Sequence, residues 1–253
     1  VVLLFDTETT GLDFEKDRII EIGACITDDN FGEPVEGFSQ LVWDTDYPPL
    51  TQEVSELTGI SREDLEKGSI KPKEAYAELH ALIDRYKPRA IVAYNAEFDR
   101  RMIMADLKRG PYPCEFLPGF VCAMNDLESN RQFKCWKLSH IALDYGLAVD
   151  PTDLHRALDD VFLMRRVLEK AGATVDSLLE YQNSPEVVIT AVTPSFRDDV
   201  GGKKRELAKK AGFTWQTPRG SEEFFEKRWV KKIKFKDLQK EEENCLLPIR
   251  IVK

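Results

Sequence analysis

A chain of 253 residues suits one large domain or a domain with a small appendix, and 42% apolar residues are enough for a real core. No apolar run approaches the length of a membrane span, and no signal-peptide pattern precedes the first apolar segment, so a cytoplasmic protein is expected. The net charge of −9 excludes a uniformly basic coat of the kind that wraps nucleic acid. In chain order, Val2-Leu3-Leu4-Phe5 reads as a buried strand running into Asp6-Thr7-Glu8-Thr9-Thr10-Gly11-Leu12. Strand side chains alternate, so Asp6 and Glu8 point to one side of the sheet. Two like charges at the end of a buried strand repel and lose hydration, a penalty that a divalent cation held by carboxylate oxygens reverses. Arg18–Ile26 and Phe38–Trp43 read as two further strands, with turn residues Asn30 and Gly32 between them, and short links imply an antiparallel meander.

The pattern then changes. Pro72–Tyr86 reads as a helix, Arg89–Tyr94 as a buried strand, and Ala96–Lys108 as a helix; Val121–Met124 reads as a strand, with helices near 136–145 and 153–170. Strand–helix–strand order implies parallel strands joined by right-handed crossovers, so an α/β mixed sheet flanked by helices is expected. Asn183-Ser184-Pro185 marks a boundary, which divides the chain into domains at 1–183 and 184–253. Beyond it the order is strand Val187–Val192, helix Lys203–Lys210 ended by Gly212, and strand Phe213–Gln216. A turn at Thr217–Gly220, a strand at Arg228–Ile233, a helix at Lys236–Glu243 and a strand at Pro248–Val252 complete it. This is a β-α-β-β-α-β order, the split pattern of ferredoxin-like α+β domains.

Two more clusters of polar residues stand out. In Tyr94-Asn95-Ala96-Glu97-Phe98-Asp99, Asn95 is a natural N-cap and Asp99 falls in the first helical turn, near the C-terminal ends of strands where open α/β sheets build sites. An acid there also simply favours the helix dipole. In His155-Arg156-Ala157-Leu158-Asp159-Asp160, five residues along one helix turn about 140° net around its axis, so His155 and Asp160 would not share a face. Asp159 is then the better partner, unless His155 lies in the loop before the helix; Arg156 and Asp160 could also form an i,i+4 surface pair. Of the other histidines, His80 falls on an amphipathic helix surface and His140 near a helix start. The five cysteines, Cys25, Cys114, Cys122, Cys135 and Cys245, contain no Cys-x2-Cys pair, which reads as reduced thiols and not as a zinc site.

Together, DTETTGL at 6–12, YNAEFD at 94–99 and HRALDD at 155–160 resemble the three motifs of the DnaQ-like (DEDDh) 3′–5′ exonucleases of the ribonuclease H-like superfamily. The resemblance covers roughly residues 1–170, to which Thr58-Gly59-Ile60 and Lys137–Ala142 add similar connecting segments. It implies a ribonuclease H-like mixed sheet, with Asp6, Glu8, Asp99 and Asp160 as metal-site carboxylates and His155 as general base. It favours Asp160 over Asp159, because the family pattern is His-x4-Asp. Many members carry His where Tyr94 stands.

The implied chemistry is phosphodiester hydrolysis with two Mg²⁺ ions about 4 Å apart, for which Mn²⁺ substitutes. Asp6 would bridge both ions, Glu8 and Asp160 would complete the nucleophile-side ion, and Asp99 would serve the leaving-group side. The backbone at Thr9, Thr10 and Gly11 could approach the terminal nucleotide together with Asn95, and Leu12 and Phe98 could pack on its base or belong to the core. The expected partner is a nucleic acid with a free 3′ end, DNA before RNA, with an idle nucleic-acid-binding module as the other class; a polymerase or repair partner has no signal of its own.

The charge is unevenly spread. Residues 1–194 carry 20 Lys+Arg against 35 Asp+Glu, and residues 195–240 carry 14 against 7. The basic segment reads as a nucleic-acid guide or as a plain solvated face. Its aromatics, Phe213, Trp215, Phe224, Phe225 and Trp229, are expected mostly in a small core.

Overall fold

A computed structural model describes residues 1–110, 116–127, 133, 135–150, 155–193, 199, 202–216 and 228–252. The chain divides into two compact units, Val1–Gln182 and Asn183–Lys253. Cys114, the expected turn at 217–220, Phe224, Phe225 and the start of the helix expected at 153 lie outside the described residues.

The first unit opens with β1 (Val2–Thr9), β2 (Ile19–Thr27) and β3 (Glu36–Leu41), an antiparallel meander. Helices α1 (Gln52–Thr58), α2 (Arg62–Gly68) and α3 (Pro72–Tyr86) follow, then β4 (Ile91–Ala93) and α4 (Ala96–Arg109). After β5 (Phe120–Cys122) come α5 (Ala123–Asp126), α6 (Leu138–Asp144), α7 (Ala157–Ala171) and α8 (Val175–Gln182). The five strands form one sheet in the order β3-β2-β1-β4-β5, with β4 parallel to both β1 and β5. A mixed sheet flanked by helices is therefore what forms.

Several details differ from the sequence reading, among them helix α8, which was not expected after 153–170. Met124, expected in a strand, belongs to α5 because β5 ends at Cys122, whose N–H is taken by the Asp126 carboxylate at 2.9 Å. The third strand ends at Leu41, and Val42 forms an isolated bridge to Ile70. The short helices α1 and α2 were not anticipated, although Thr51 caps the first and a Ser61–Asp64 capping box starts the second.

The alternation of β1 sorts the two layers. Leu3 and Phe5 join α3 and α4 in one core with Tyr76, Leu79, Ile103 and Leu107. Val2 and Leu4 face the other way, into a core with Val161, Met164 and Leu168 of α7 and Val175 and Leu178 of α8. Continued one turn of the pleat, this places Asp6 and Glu8 on the α7 side and Thr7 on the α4 side. Strand β2 is buried along its whole length, because helices cover both faces of the sheet at its centre.

The second unit runs β6 (Glu186–Ala191), α9 (Lys203–Lys210), β7 (Thr214–Gln216), β8 (Arg228–Lys234), a 3₁₀ turn (Phe235–Asp237), α10 (Leu238–Asn244) and β9 (Ile249–Ile251). The four strands form an antiparallel sheet in the order β7-β8-β6-β9. Ile189, Ala191, Ala208, Phe213 and Leu247 make the core, with Trp229 and Ile233 packed on it. Lys231 shares the helix-covered face of β8 and reaches the Ala211 carbonyl at 3.0 Å and Glu241 at 2.7 Å. By alternation, Arg228, Lys232 and Lys234 of β8 and Arg250 of β9 lie on the opposite face. Phe213 and Trp229 are thus core residues as expected, while Trp215 stays half exposed against the edge of Trp229.

Candidate metal and active site

The site begins where β1 runs out of apolar residues. Asp6 and Glu8 leave the strand on the α7 side, and Asp160 comes to meet them from the first turn of α7. One carboxylate oxygen from each of the three lies within 4.8 Å of the others, the one such cluster of acidic, histidine or cysteine ligands among the described residues. Burial is the main force raising all three. The Asp6 carboxyl is pushed well above the usual range by burial and then by the charges of Asp99, Glu8 and Asp160. Glu8 rises to about 8, from burial and then the charges of Asp160, Glu21 and Asp99. Asp160 rises to about 6, its burial partly offset by the His155 charge and by the His155 backbone N–H, which donates to it.

Three carboxylates so close together and so reluctant to ionise fit a hard divalent cation, whose charge removes both the repulsion and the desolvation penalty. With no cation bound, the sign of the pH effect is set by pKa values raised on folding. Below the unfolded carboxylate range, about pH 4, the groups are neutral in both states. As pH rises above that, the unfolded carboxyls ionise while the folded ones stay protonated, so stability is lost until it levels off at about 6 for Asp160 and about 8 for Glu8. Protons compete with metal, so a fixed Mn²⁺ or Mg²⁺ concentration, a hundredfold over the Kd at pH 8, should raise the melting temperature by about 5–10 °C at pH 8 and by clearly less at pH 6. Thermal melts with metal and with EDTA at the two pH values check this; an equal shift at both would contradict it.

Asp99 stands beside this trio and not within it. It is 3% exposed, on the α4 side, and its carboxylate accepts from the Thr7 hydroxyl at 2.8 Å. Burial raises Asp99 to about 7 against the pull of that hydrogen bond. It is still close enough to be the largest single charge acting on Asp6. Three acids thus converge from the α7 side, and the fourth is tethered through Thr7 from the other.

Two strained positions aim these helices. Asn95 precedes α4 with φ 68°, and His155 lies two residues before α7 with φ 64°; both are in the left-handed region, where Asn and His are among the residues better tolerated. The Asn95 side chain makes no capping hydrogen bond, which corrects the expectation of an N-cap by that side chain; left-handed backbone replaces the extended cap conformation. His155 sits outside the helix, so the 140° objection to sharing a face with Asp160 does not arise. Its ring is exposed. Asp159 is also exposed and is not among the converging acids. Arg156 is not a surface partner of Asp160; its guanidinium goes to Glu21 at 2.7 Å.

The residues expected to grip a terminal nucleotide form the corner after β1. Thr9 donates to the Gly11 carbonyl at 2.7 Å, and Thr10 donates to Asp17 at 2.9 Å, so both hydroxyls are spent inside the corner. A Cβ on Gly11 would come within 2.4 Å of the Asp17 carboxylate, which explains glycine there. Leu12 is 78% exposed and free of any core duty, whereas Phe98 is half-buried, packed on the core and on the Phe14 ring at 5.7 Å. Tyr94 is half-buried and its hydroxyl donates to the Trp136 carbonyl at 2.5 Å. His80 is exposed and stacked on Phe116, and His140 is exposed with Nδ1 2.8 Å from Cys135 Sγ; neither is near the cluster in any hydrogen bond or ion pair. No helix among the described residues is long and apolar enough to cross a membrane.

Sequence reasoning missed Thr7, which holds Asp99, and Glu21, which lies directly across from Glu8 in the β1–β2 register. Alternation could have flagged Thr7 as the residue facing α4. Glu21 carried a signal too, since an acid within the apolar run Ile19–Ile26 needs a partner.

Residues 3–168 match the RNase T family of exonucleases. The chain is 34% identical over 161 residues to the DNA polymerase III subunit epsilon of Treponema pallidum, covering 62% of this chain and 69% of that protein. It is 30% identical over 201 residues to the PolC-type DNA polymerase III of Thermotoga petrophila, covering 76% of this chain but only 14% of that much longer protein. In fold it is similar to E. coli Exonuclease I in complex with a dA16 oligonucleotide, with a TM-score of 0.65 at 16% identity over 98% of this chain and 68% of that one. Another Exonuclease I structure gives a TM-score of 0.61, and there the chain spans about half the length of its counterpart, 48%. The matched segment runs from β1 through most of α7 and so includes every acid of the cluster and His155; the chain belongs to the RNase T/DnaQ-like family of 3′–5′ exonucleases.

Proposed function

We propose that this chain removes nucleotides from the 3′ end of DNA by metal-dependent hydrolysis. The convergence of Asp6, Glu8 and Asp160 beside an exposed histidine carries that reading. The DNA polymerase relatives and the oligonucleotide held by Exonuclease I support DNA as the polymer. The first unit is read as a ribonuclease H-like exonuclease domain and the second as a ferredoxin-like α+β domain, to which its β-α-β-β-α-β order and its strand order lend support.

Two Mg²⁺ ions are the proposed cofactor, which Asp6, Glu8, Asp160 and Asp99 would hold, with Asp6 serving both ions, Glu8 and Asp160 serving the nucleophile and Asp99 the leaving group. Bound there, such ions neutralise the carboxylates and the phosphate and lower the pKa of an attacking water. The protein supplies the rest. His155, exposed at the mouth of the cluster, takes the proton of that water. Thr7 fixes the Asp99 carboxylate through its hydroxyl, so that oxygen needs no reorganisation when the substrate arrives. The corner at Thr9–Gly11 is stiffened by its own hydrogen bonds and offers backbone to the terminal nucleotide, with Leu12 against the base.

Digestion of 5′-labelled single-stranded DNA, duplex DNA and RNA tests the reading. A ladder shortening from the 3′ end in Mg²⁺ and absent in EDTA is expected, strongest on DNA. Preference for RNA would change the substrate, and cleavage in EDTA would remove the mechanism.

The second unit is proposed as a guide for the strand, through the cationic sheet face that carries Lys232 and Arg250. Lys232→Ala with Arg250→Ala should raise KM for single-stranded DNA and flatten its log–log salt dependence by about 1.4, two phosphates at about 0.7 each, with kcat unchanged. An unaltered salt slope would leave that face a plain solvated surface.

A further inference from the structure

The start of α7 has no local cap. Arg156 occupies the N-cap position, its side chain makes no capping bond, and the Ala157 N–H points out of the helix toward the sheet. That N–H is received by the carboxylate of Glu21, at 3.0 Å, from β2. The other Glu21 oxygen receives the Arg156 guanidinium at 2.7 Å, and the Arg156 Nε lies 3.2 Å from both oxygens. One buried carboxylate therefore closes a ring with two successive residues that directly follow His155. Glu21 is 1% exposed, so this ion pair is shielded on the acid's side from competing water.

The strand is shaped for the same contact. Gly23, next on that face of β2, lies so close to α7 that a Cβ would come within 2.3 Å of the Ala157 carbonyl carbon and 2.4 Å of the Leu158 nitrogen. Backbone of the first helical turn rests directly on β2, at the register where Gly23 pairs with Asp6 and Glu21 pairs with Glu8. A glutamate opposite Glu8 adds repulsion to the acidic cluster, and its oxygens are not among those that converge there. Holding metal does not account for it. Holding the segment that carries His155 does, because the imidazole is exposed on left-handed backbone and takes its position from the residues that follow it.

We propose that Glu21, through Arg156 and the Ala157 N–H, is a positioning residue that sets His155 over the acidic cluster. The inference rests on the exonuclease reading for its kinetic consequence, but not for its structural one. The test is a double-mutant cycle with an exchange measurement beside it. Glu21→Gln keeps the size of the side chain and loses the charge; kcat should fall about 10- to 100-fold, the cost of a displaced catalytic group, with KM for DNA within about threefold. In a His155→Ala background the same change should cost less than about threefold, because a residue acting through His155 has nothing left to position. Arg156→Ala, at a half-buried site that leaves the sheet intact, should reproduce the loss, and Arg156→Lys should recover part of it. Amide hydrogen exchange at Ala157 should quicken at least about tenfold in Glu21→Gln, whether or not the protein hydrolyses DNA.

Wild-type kcat in Glu21→Gln and Arg156→Ala would overturn the proposal. So would an equal loss in both histidine backgrounds, which would assign Glu21 to the fold at large, or unchanged exchange at Ala157. Absence of hydrolysis by the wild-type chain would overturn the exonuclease reading instead, with the exchange result still deciding the clamp.

Discussion

Asp6→Asn should abolish turnover and at the same time make the metal-free protein more stable. The two effects share one cause. Asp6 sits among Asp99, Glu8 and Asp160, and burial with their charges drives its carboxyl well above the ordinary range. Ionising it without a cation is unfavourable, so a neutral side chain of the same shape relieves the folded state at alkaline pH. In EDTA at pH 8 the melting temperature should rise by about 3 °C or more, and by less as the pH is lowered, because burial and the neighbouring acids favour the neutral carboxyl. Hydrolysis should fall by about 10³-fold or more, since the residue proposed to touch both ions is gone. Melting curves and single-turnover rates on the same preparation check both halves. Loss of activity with loss of stability would instead make Asp6 an ordinary structural acid.

His155 should separate chemistry from binding. His155→Ala should lower kcat by about 10²–10⁴-fold, the usual contribution of a general base, with KM for DNA within about threefold. The backbone complicates a single substitution, because φ is 64° there and alanine is strained in that region. His155→Asn tolerates the left-handed conformation and cannot serve as a base near neutral pH. Both variants should therefore lose the same rate. Full activity in His155→Asn would mean that the turn matters and the imidazole does not, and would remove His155 from the base role.

How much of this was legible in the chain follows from the range of the interactions involved. The pleat of β1 is local, so Asp6 and Glu8 could be placed on one side from Val2–Phe5 alone, and α3 could be read from its apolar spacing with Pro72 at the start. His155 and Asp160 were ambiguous from spacing because their relation depends on where α7 begins, and α7 begins at Ala157 through contacts with a strand more than 130 residues earlier, Arg156 to Glu21 at a separation of 135. No periodicity encodes such a contact. Asn95 looked like an N-cap because Asn usually is one; the left-handed backbone that it adopts is a second property of the same residue, and the sequence does not say which is used. Asp99 was placed by sequence only near the C-terminal ends of the strands; its tie to Thr7 follows from α4 packing against the side of β1 that carries Leu3 and Phe5. The small helices α1 and α2 were within reach, through Thr51 and the Ser61–Asp64 pair, but their seven residues are too few for a hydrophobic period to show.

The central claim is that the convergent carboxylates are a metal site. Mn²⁺ titration of the purified chain at pH 8, followed by the loss of free-ion electron paramagnetic resonance signal, measures that directly. The account predicts saturable Mn²⁺ binding by the wild-type chain, displaced by Mg²⁺ and abolished in Asp6→Asn; equal binding by the two proteins would contradict it.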